Sequence, residues 1–252
     1  MEVILVENYS EMSEHAARMV EEQINQNHHH SILGLATGST PLGLYETLIE
    51  GHQKRGVSYK NVQSFNLDEY LGLDQTHPGS YYSFMHENLF KDIDISKEHI
   101  QIPHSQPCSV AEECERYDHV IDRIGPIDLQ ILGIGSNGHI GFNEPGSNLN
   151  STTHVVELAA STRNDNAHFF NSLEEVPTHA ITMGLQSILK SKRILLLASG
   201  ERKAEAVKRL FSGHVSEMFP ASHLWNHDNV TLIVDQEAYK LVSQKGSEEV
   251  AR

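Results

Sequence analysis

The segment Gly133-Ile-Gly-Ser-Asn-Gly-His139-Ile-Gly-Phe-Asn-Glu144-Pro-Gly146 holds the densest chemistry in the chain. A histidine exchanges a proton near neutral pH and a nearby glutamate can fix its tautomer, so His139 and Glu144 read as a proton-shuttling pair. Asn137 stands where it can orient the same ring without adding negative charge. The glycines invite another reading. Gly133, Gly135 and Gly138 spell G-x-G-x-x-G after an apolar run, and Glu157 follows at about the distance of a ribose-binding acid. That fingerprint requires a helix whose N-terminus holds the pyrophosphate, and Gly141, Pro145 and Gly146 deny one. The segment is read as an acid–base loop, not a dinucleotide site.

Three other stretches carry chemistry at the ends of apolar runs. In Phe65-Asn66-Leu67-Asp68-Glu69-Tyr70 two carboxylates are adjacent. Either could be a general base once partial desolvation lifts its pKa, or both could simply cap the next turn. In Thr37-Gly38-Ser39-Thr40-Pro41, glycine permits close backbone approach and Thr40-Pro41 reads as N-cap and first residue of a helix. Free N–H groups, hydroxyls and the helix dipole suit a phosphate there, although a plain capped turn would look the same. In Ser199-Gly200-Glu201-Arg202-Lys203 a lysine sits in a first helical turn, against the dipole. That placement fits either an anion ligand or a solvated side chain.

These stretches need a scaffold that brings them together. Short apolar runs at 3–6, 32–36, 62–66, 127–132, 194–198 and 230–234 alternate with segments of helical period at 11–26, with Ser10 as cap, and at 42–52, 110–124 and 201–211. Runs that are apolar on both faces suit a mainly parallel sheet covered by helices on each side. The expected fold class is α/β, a Rossmann-like doubly wound sheet, in a single domain over 1–252. In such sheets ligands bind beyond the carboxyl ends of the strands, where all four stretches fall. The rhythm weakens between 147 and 175, a candidate mobile flap.

Composition removes several classes. A net charge of -15 repels polyanions, so no nucleic-acid partner is expected. No apolar run is long enough to span a bilayer, so no membrane partner is expected either. Only Cys108 and Cys114 occur, at a spacing that fits no zinc or redox motif, and no leader precedes the first strand. A cytoplasmic protein without metal, a monomer or homo-oligomer, is expected. His28-His29-His30 lies in an Asn-rich turn and reads as a solvated loop.

At these residues the chain resembles the glucosamine-6-phosphate deaminase family, through Gly34-Leu-Ala-Thr-Gly-Ser-Thr-Pro41, Phe65-Asn-Leu-Asp-Glu-Tyr-Leu-Gly-Leu73 and the 133–146 loop. Ser80-Tyr-Tyr-Ser-Phe-Met85, 163–170, 180–188 and Lys203 extend the resemblance over nearly the whole chain. It implies the Rossmann-like fold shared with ribose-phosphate isomerases. It also implies the cofactor-free conversion of glucosamine 6-phosphate and water to fructose 6-phosphate and ammonia in amino-sugar catabolism. His139 would then open the sugar ring, oriented by Glu144 and Asn137, and Asp68 would move the C2 proton to C1. Thr37, Gly38, Ser39, Thr40 and Lys203 would hold the phosphate. Two departures stand out: Asn137, where many relatives have Asp, and His168, where relatives commonly place a phosphate-reaching arginine. His168 or Arg163 would complete the phosphate site, the histidine more weakly because it is shorter and only partly charged at pH 7. The region after the loop offers His154 and Val156 instead of the basic residues that bind the activator in allosteric members. Competing readings are a 6-phosphogluconolactonase-like hydrolase, which would lack the combined Asp68 and His139–Glu144 elements, and a non-catalytic sugar-phosphate sensor, which would usually carry a DNA-binding helix-turn-helix.

Overall fold

A computed structural model describes residues 1–26, 30–167, 170 and 172–249; His168 and two of the three histidines at 28–30 lie outside the described residues. The chain opens with β1 (Glu2–Val6) and α1 (Tyr9–Gln26). Met12, Ala16, Val20 and Ile24 recur on one buried face of that helix, as a helical period demands. Its start differs from the expected Ser10 cap. Asn8 accepts the Glu11 N–H at 3.0 Å, and Glu11 in turn accepts the Glu7 N–H at 2.8 Å, a reciprocal cap set two residues earlier.

Next come β2 (Ser31–Leu35), α2 (Leu42–Arg55), β3 (Val62–Asn66), β4 (Asp68–Tyr70), α3 (Tyr81–Asn88), β5 (Ile100–Gln101), α4 (Val110–Ile124) and β6 (Leu129–Gly133). The remainder is β7 (His154–Glu157), α5 (Ala160–Asn166), β8 (His179–Thr182), α6 (Leu185–Leu189), β9 (Ile194–Ala198), α7 (Ala204–Leu210), β10 (Val230–Asp235) and α8 (Gln236–Glu249). Seven strands form a parallel sheet in the order β1-β10-β9-β6-β2-β3-β5. Its two faces carry separate cores. Ile194, Leu196 and Ala198 of β9 pack with α4, α7 and α8, while Leu195 and Leu197 pack toward α1 and α2. The expected doubly wound α/β sheet is observed.

A second sheet, β4-β8-β7, is antiparallel. The chain crosses into it at Leu67, which donates to Leu35 of β2 and accepts from Met183 beyond β8. Asp68 and Glu69 therefore sit within a short strand rather than in a turn. The 147–175 segment also holds structure: Thr153 bonds Asp118 of α4 through its N–H and hydroxyl, and β7 pairs with β8. No described helix is long and apolar enough to cross a membrane.

Candidate active site

Strand order assembles the site. β9, β6, β2 and β3 are consecutive neighbours in a parallel sheet, so their four carboxyl ends lie side by side at one edge. At about 4.8 Å per strand they span roughly 15 Å. The sequence direction also reverses here: from β2 the chain winds through β3 to β5 on one side and returns through β6 to β9 on the other. Such switch points open a crevice for ligands.

The 133–146 loop is held by its own backbone and by short polar side chains, with no helix. Gly135 N–H donates to His139 O at 2.9 Å, and Asn143 Nδ2 donates to Ile140 O and Met183 O. Asn137 does not reach the imidazole. Its Oδ1 accepts the backbone N–H of His139 at 3.1 Å, and its Nδ2 donates to Glu144 Oε2 at 2.6 Å. That same carboxylate oxygen faces His139 Nδ1 at 3.7 Å, an ion-pair separation beyond hydrogen-bond reach. Thr162 of α5 donates to the other oxygen, Oε1, at 2.6 Å. Burial pushes Glu144 up, but His139, Thr162 and Asn137 outweigh it and bring its pKa down to about 2. Glu144 is an anion throughout the physiological range.

Two of the three fingerprint glycines have other uses. A Cβ on Gly135 would lie 2.3 Å from His139 Cε1, and one on Gly138 would lie 2.1 Å from the Phe219 ring, whereas Gly133 faces open space. The loop is packed against an imidazole and a phenyl ring, not shaped around a pyrophosphate.

Asp68 and Glu69 have different surroundings. Glu69 accepts the N–H groups of Tyr70, Tyr81 and Tyr82 at 2.8, 2.9 and 2.8 Å, and so caps the start of α3. Burial raises its pKa to about 7, with those three donors restraining the rise. Asp68 is buried without such donors among the described residues, and desolvation, followed by the charge of Glu69, raises it to about 8. Its Oδ2 lies 3.4 Å from where a Cβ on Gly141 would be, which brings the carboxylate against the loop that carries His139. Any side chain at 141 would enter this contact.

The 37–40 loop follows β2. Helix α2 starts one residue later than expected, with Pro41 in the cap position and no side chain capping it, so Thr40 is not the N-cap. The Tyr81 hydroxyl stands near the Thr37 side chain and bonds that of Tyr70 at 3.4 Å, two residues from Asp68 in β4. No hydrogen bond among the described residues uses the N–H groups of Gly38, Ser39 and Thr40.

Lys203 ends a 3-10 turn and occupies the cap position of α7, after Gly200 at φ 85°, a conformation that favours glycine. Asp235 of β10 accepts from Ser199 Oγ and Gly200 N and so fixes where that turn leaves the sheet. The Arg163 guanidinium donates to the carbonyls of Leu173 at 2.8 Å and Val176 at 2.9 Å, closing the end of the 160–176 segment. Among the described residues no group of three or more His, Cys, Asp or Glu side chains could hold a metal ion.

Sequence reasoning missed Thr162, Gly141 and Tyr81. A threonine in a weakly periodic stretch gives no sign of its partner eighteen residues away. Tyr81 lay within a quoted motif, yet its bond to Tyr70 depends on how α3 folds back.

A family model described as glucosamine-6-phosphate isomerases/6-phosphogluconolactonase matches residues 7–233. The chain is 52% identical over 233 residues to a glucosamine-6-phosphate deaminase of Lysinibacillus sphaericus, covering 92% of this chain and 98% of that one. It is also 52% identical to the deaminase of Halalkalibacterium halodurans, covering 96% and 98%. A solved monomeric glucosamine-6-phosphate deaminase superimposes with a TM-score of 0.94 at 47% identity, over 96% of this chain and 100% of that one. A 6-phosphogluconolactonase from Thermotoga maritima shares the fold, with a TM-score of 0.74 at 20% identity, 93% of this chain and 98% of that one.

Proposed function

The chain belongs to the glucosamine-6-phosphate isomerase/6-phosphogluconolactonase family, and from its likeness to the deaminases we infer that it converts glucosamine 6-phosphate and water to fructose 6-phosphate and ammonia. It is an enzyme of amino-sugar catabolism. The observation that carries the reaction type is the buried Asp68 carboxylate packed against Gly141 of the His139–Glu144 loop.

In this reading the phosphate is held by Thr37, Gly38, Ser39 and Thr40, whose N–H groups and hydroxyls supply neutral donors in an acidic protein, and by Lys203 as counter-charge. His168, outside the described residues, contributes a further, pH-dependent contact. Arg163 ties α5 to the carbonyls of Leu173 and Val176, within and just beyond the 147–175 stretch that is the candidate flap over the sugar.

His139 delivers a proton to the ring oxygen as the C1 hydroxyl loses one, which opens the pyranose. Glu144 stabilises the protonated imidazole, and Asn137 holds Glu144 in place. Ionised Asp68 then takes the proton from C2, leaving an enolamine, and returns it to C1. C2 becomes an imine carbon. Water adds there, ammonia leaves, and the ketone of fructose 6-phosphate remains. A base with a pKa near 8 suits this step, because it is strong enough to take a carbon-bound proton and yet ionised in a useful fraction at neutral pH. Because a phosphosugar does not cross a bilayer unaided, the enzyme works in the cytoplasm.

The deciding assay supplies purified protein with glucosamine 6-phosphate and measures both ammonia and fructose 6-phosphate. Equal amounts of the two products are expected; neither product, or ammonia without the ketose, rejects the reading.

A further inference from the structure

Two tyrosine hydroxyls hold the loop at 36–40 and a third lies beside it. Tyr45 of α2, fully buried, donates to the carbonyl of Ala36, and Tyr81 stands near the Thr37 side chain. Tyr9, the first residue of α1, donates to the carbonyl of Ser39 at 3.0 Å and accepts the N–H of Gly43 at 2.7 Å. Burial pushes the Tyr45 and Tyr81 phenols well above their ordinary range, so both stay protonated. Tyr9 differs from them in being 37% exposed, on the wall of a groove of about 830 Å³ between α1 and α2.

Gly43 is what lets Tyr9 reach. A Cβ there would stand 2.9 Å from Tyr9 Cε1 and 2.5 Å from Ser13 Oγ, so a side chain at 43 would drive the ring away. Glycine inside a helix is unfavourable. Here its absent side chain admits an aromatic ring, whose hydroxyl then joins the loop to the first turn of α2. The tie is bidirectional, a donor to the loop and an acceptor from the helix, and therefore restricts both together. The N–H groups of Gly38 and Ser39 lie between the Tyr45 anchor at Ala36 O and the Tyr9 anchor at Ser39 O, and that of Thr40 lies between Ser39 O and Gly43 N.

We propose that Tyr9 is a positioning residue for the phosphate site: its hydroxyl, spanning Ser39 O and Gly43 N, aims the N–H groups of the 38–40 loop at the substrate phosphate. The inference rests on reading residues 37–40 as the phosphate loop. Tyr9 touches no reacting atom, so its effect is on binding of the phosphate and not on proton transfer.

Tyr9→Phe keeps the ring against Gly43 and Ser13 and removes only the hydroxyl. The expected result is a KM for glucosamine 6-phosphate raised roughly three- to tenfold, the worth of one such bond, with kcat within about twofold of wild type. The Kd of inorganic phosphate, measured by calorimetry, rises by the same factor, and the thermal midpoint without phosphate stays near that of wild type. If the wild type binds phosphate and the Phe variant binds it equally well, the proposal fails while the proposed reaction stands. A fall in kcat at unchanged KM also overturns it. If the wild type itself binds no phosphate, the loop is not a phosphate site, and the proposal falls with that reading.

Discussion

Asn137 and Glu144 are joined Nδ2 to Oε2 at 2.6 Å, and the other end of the same amide receives the backbone N–H of His139 at 3.1 Å. One neutral side chain thus fixes both the carboxylate and the main chain of the histidine that it faces. An aspartate at 137 could accept from His139 N–H but would place a second carboxylate against Glu144. The asparagine leaves Glu144 as the single anion of the loop.

Glu144→Gln tests that arrangement. Each Glu144 oxygen accepts one hydrogen bond, from Asn137 and from Thr162. An amide has only one oxygen, so one of these donors loses its acceptor. We expect kcat to fall by at least roughly 10²-fold and stability to drop by about 1–3 kcal/mol. Steady-state kinetics and denaturant unfolding measure the two losses, and a variant as active as wild type would remove Glu144 from the ring-opening machinery.

Thr162→Val removes one donor at nearly constant volume and spares Asn137. Glu144 is depressed in the fold, so its stabilising contribution is present above its ordinary value of 4.5 and lost as pH falls toward about 2. Losing a donor raises the Glu144 pKa and narrows that window. The acid-unfolding midpoint should therefore move to higher pH, with kcat reduced roughly three- to tenfold at neutral pH. Circular dichroism followed through an acid titration supplies the check.

Asp68→Asn should abolish turnover and the exchange of solvent hydrogen at C2, while substrate still binds. Solvent deuterium incorporation at C2 that persists in the variant would exclude Asp68 as the base. The stability effect has the opposite sign to that at Glu144. Asp68 is raised from 3.8 to about 8, so its folded-state preference for the proton stabilises fully below 3.8 and is lost as pH climbs through about 8. The asparagine variant does not titrate. Its melting temperature should exceed that of wild type above pH 8 by roughly 3 °C or more, and the gap should close near pH 4.

Gly135→Ala and Gly133→Ala separate the acid–base loop from a nucleotide fingerprint. A methyl at 135 would occupy the imidazole position, whereas a methyl at 133 meets nothing within 4 Å. Activity is expected to fall by at least roughly 10²-fold in the first, as the proposed proton carrier His139 is displaced, and to stay near wild type in the second. Equal sensitivity at both positions would contradict the packing described for His139.

Much of the fold was legible because its strands are apolar on both faces, as in Ile194–Ala198 and Val230–Asp235, and their helices have clear periods. The second sheet was not. Asp68–Tyr70 and His154–Glu157 are three and four residues long, and both pair with His179–Thr182, more than a hundred residues on from the first and more than twenty from the second. The four chemical stretches could be placed at strand ends from their position alone, and the strand order then set them in a row. Which carboxylate of the Asp68–Glu69 pair was the cap could not be read, because the answer lies in the fold-back of α3 twelve residues later. Likewise the cap Asn8, close to Ser10 in sequence, shows that two good cap residues in one stretch compete by geometry.

The first strand, Glu2–Val6, lies at one edge of the parallel sheet and, among the described residues, pairs there with Val230–Asp235 alone. During synthesis, then, Glu2–Val6 must wait for a partner more than two hundred residues further along the chain. Ile194–Ala198 emerges about thirty residues before the strand that covers its flank, and for that interval it presents five apolar residues along an open edge. At about 5–20 residues per second the interval lasts a few seconds, long enough for a neighbouring nascent chain to pair there instead. A ribosomal pause between codons 198 and 230 should accordingly lower the yield of soluble enzyme more than an equal pause before codon 190.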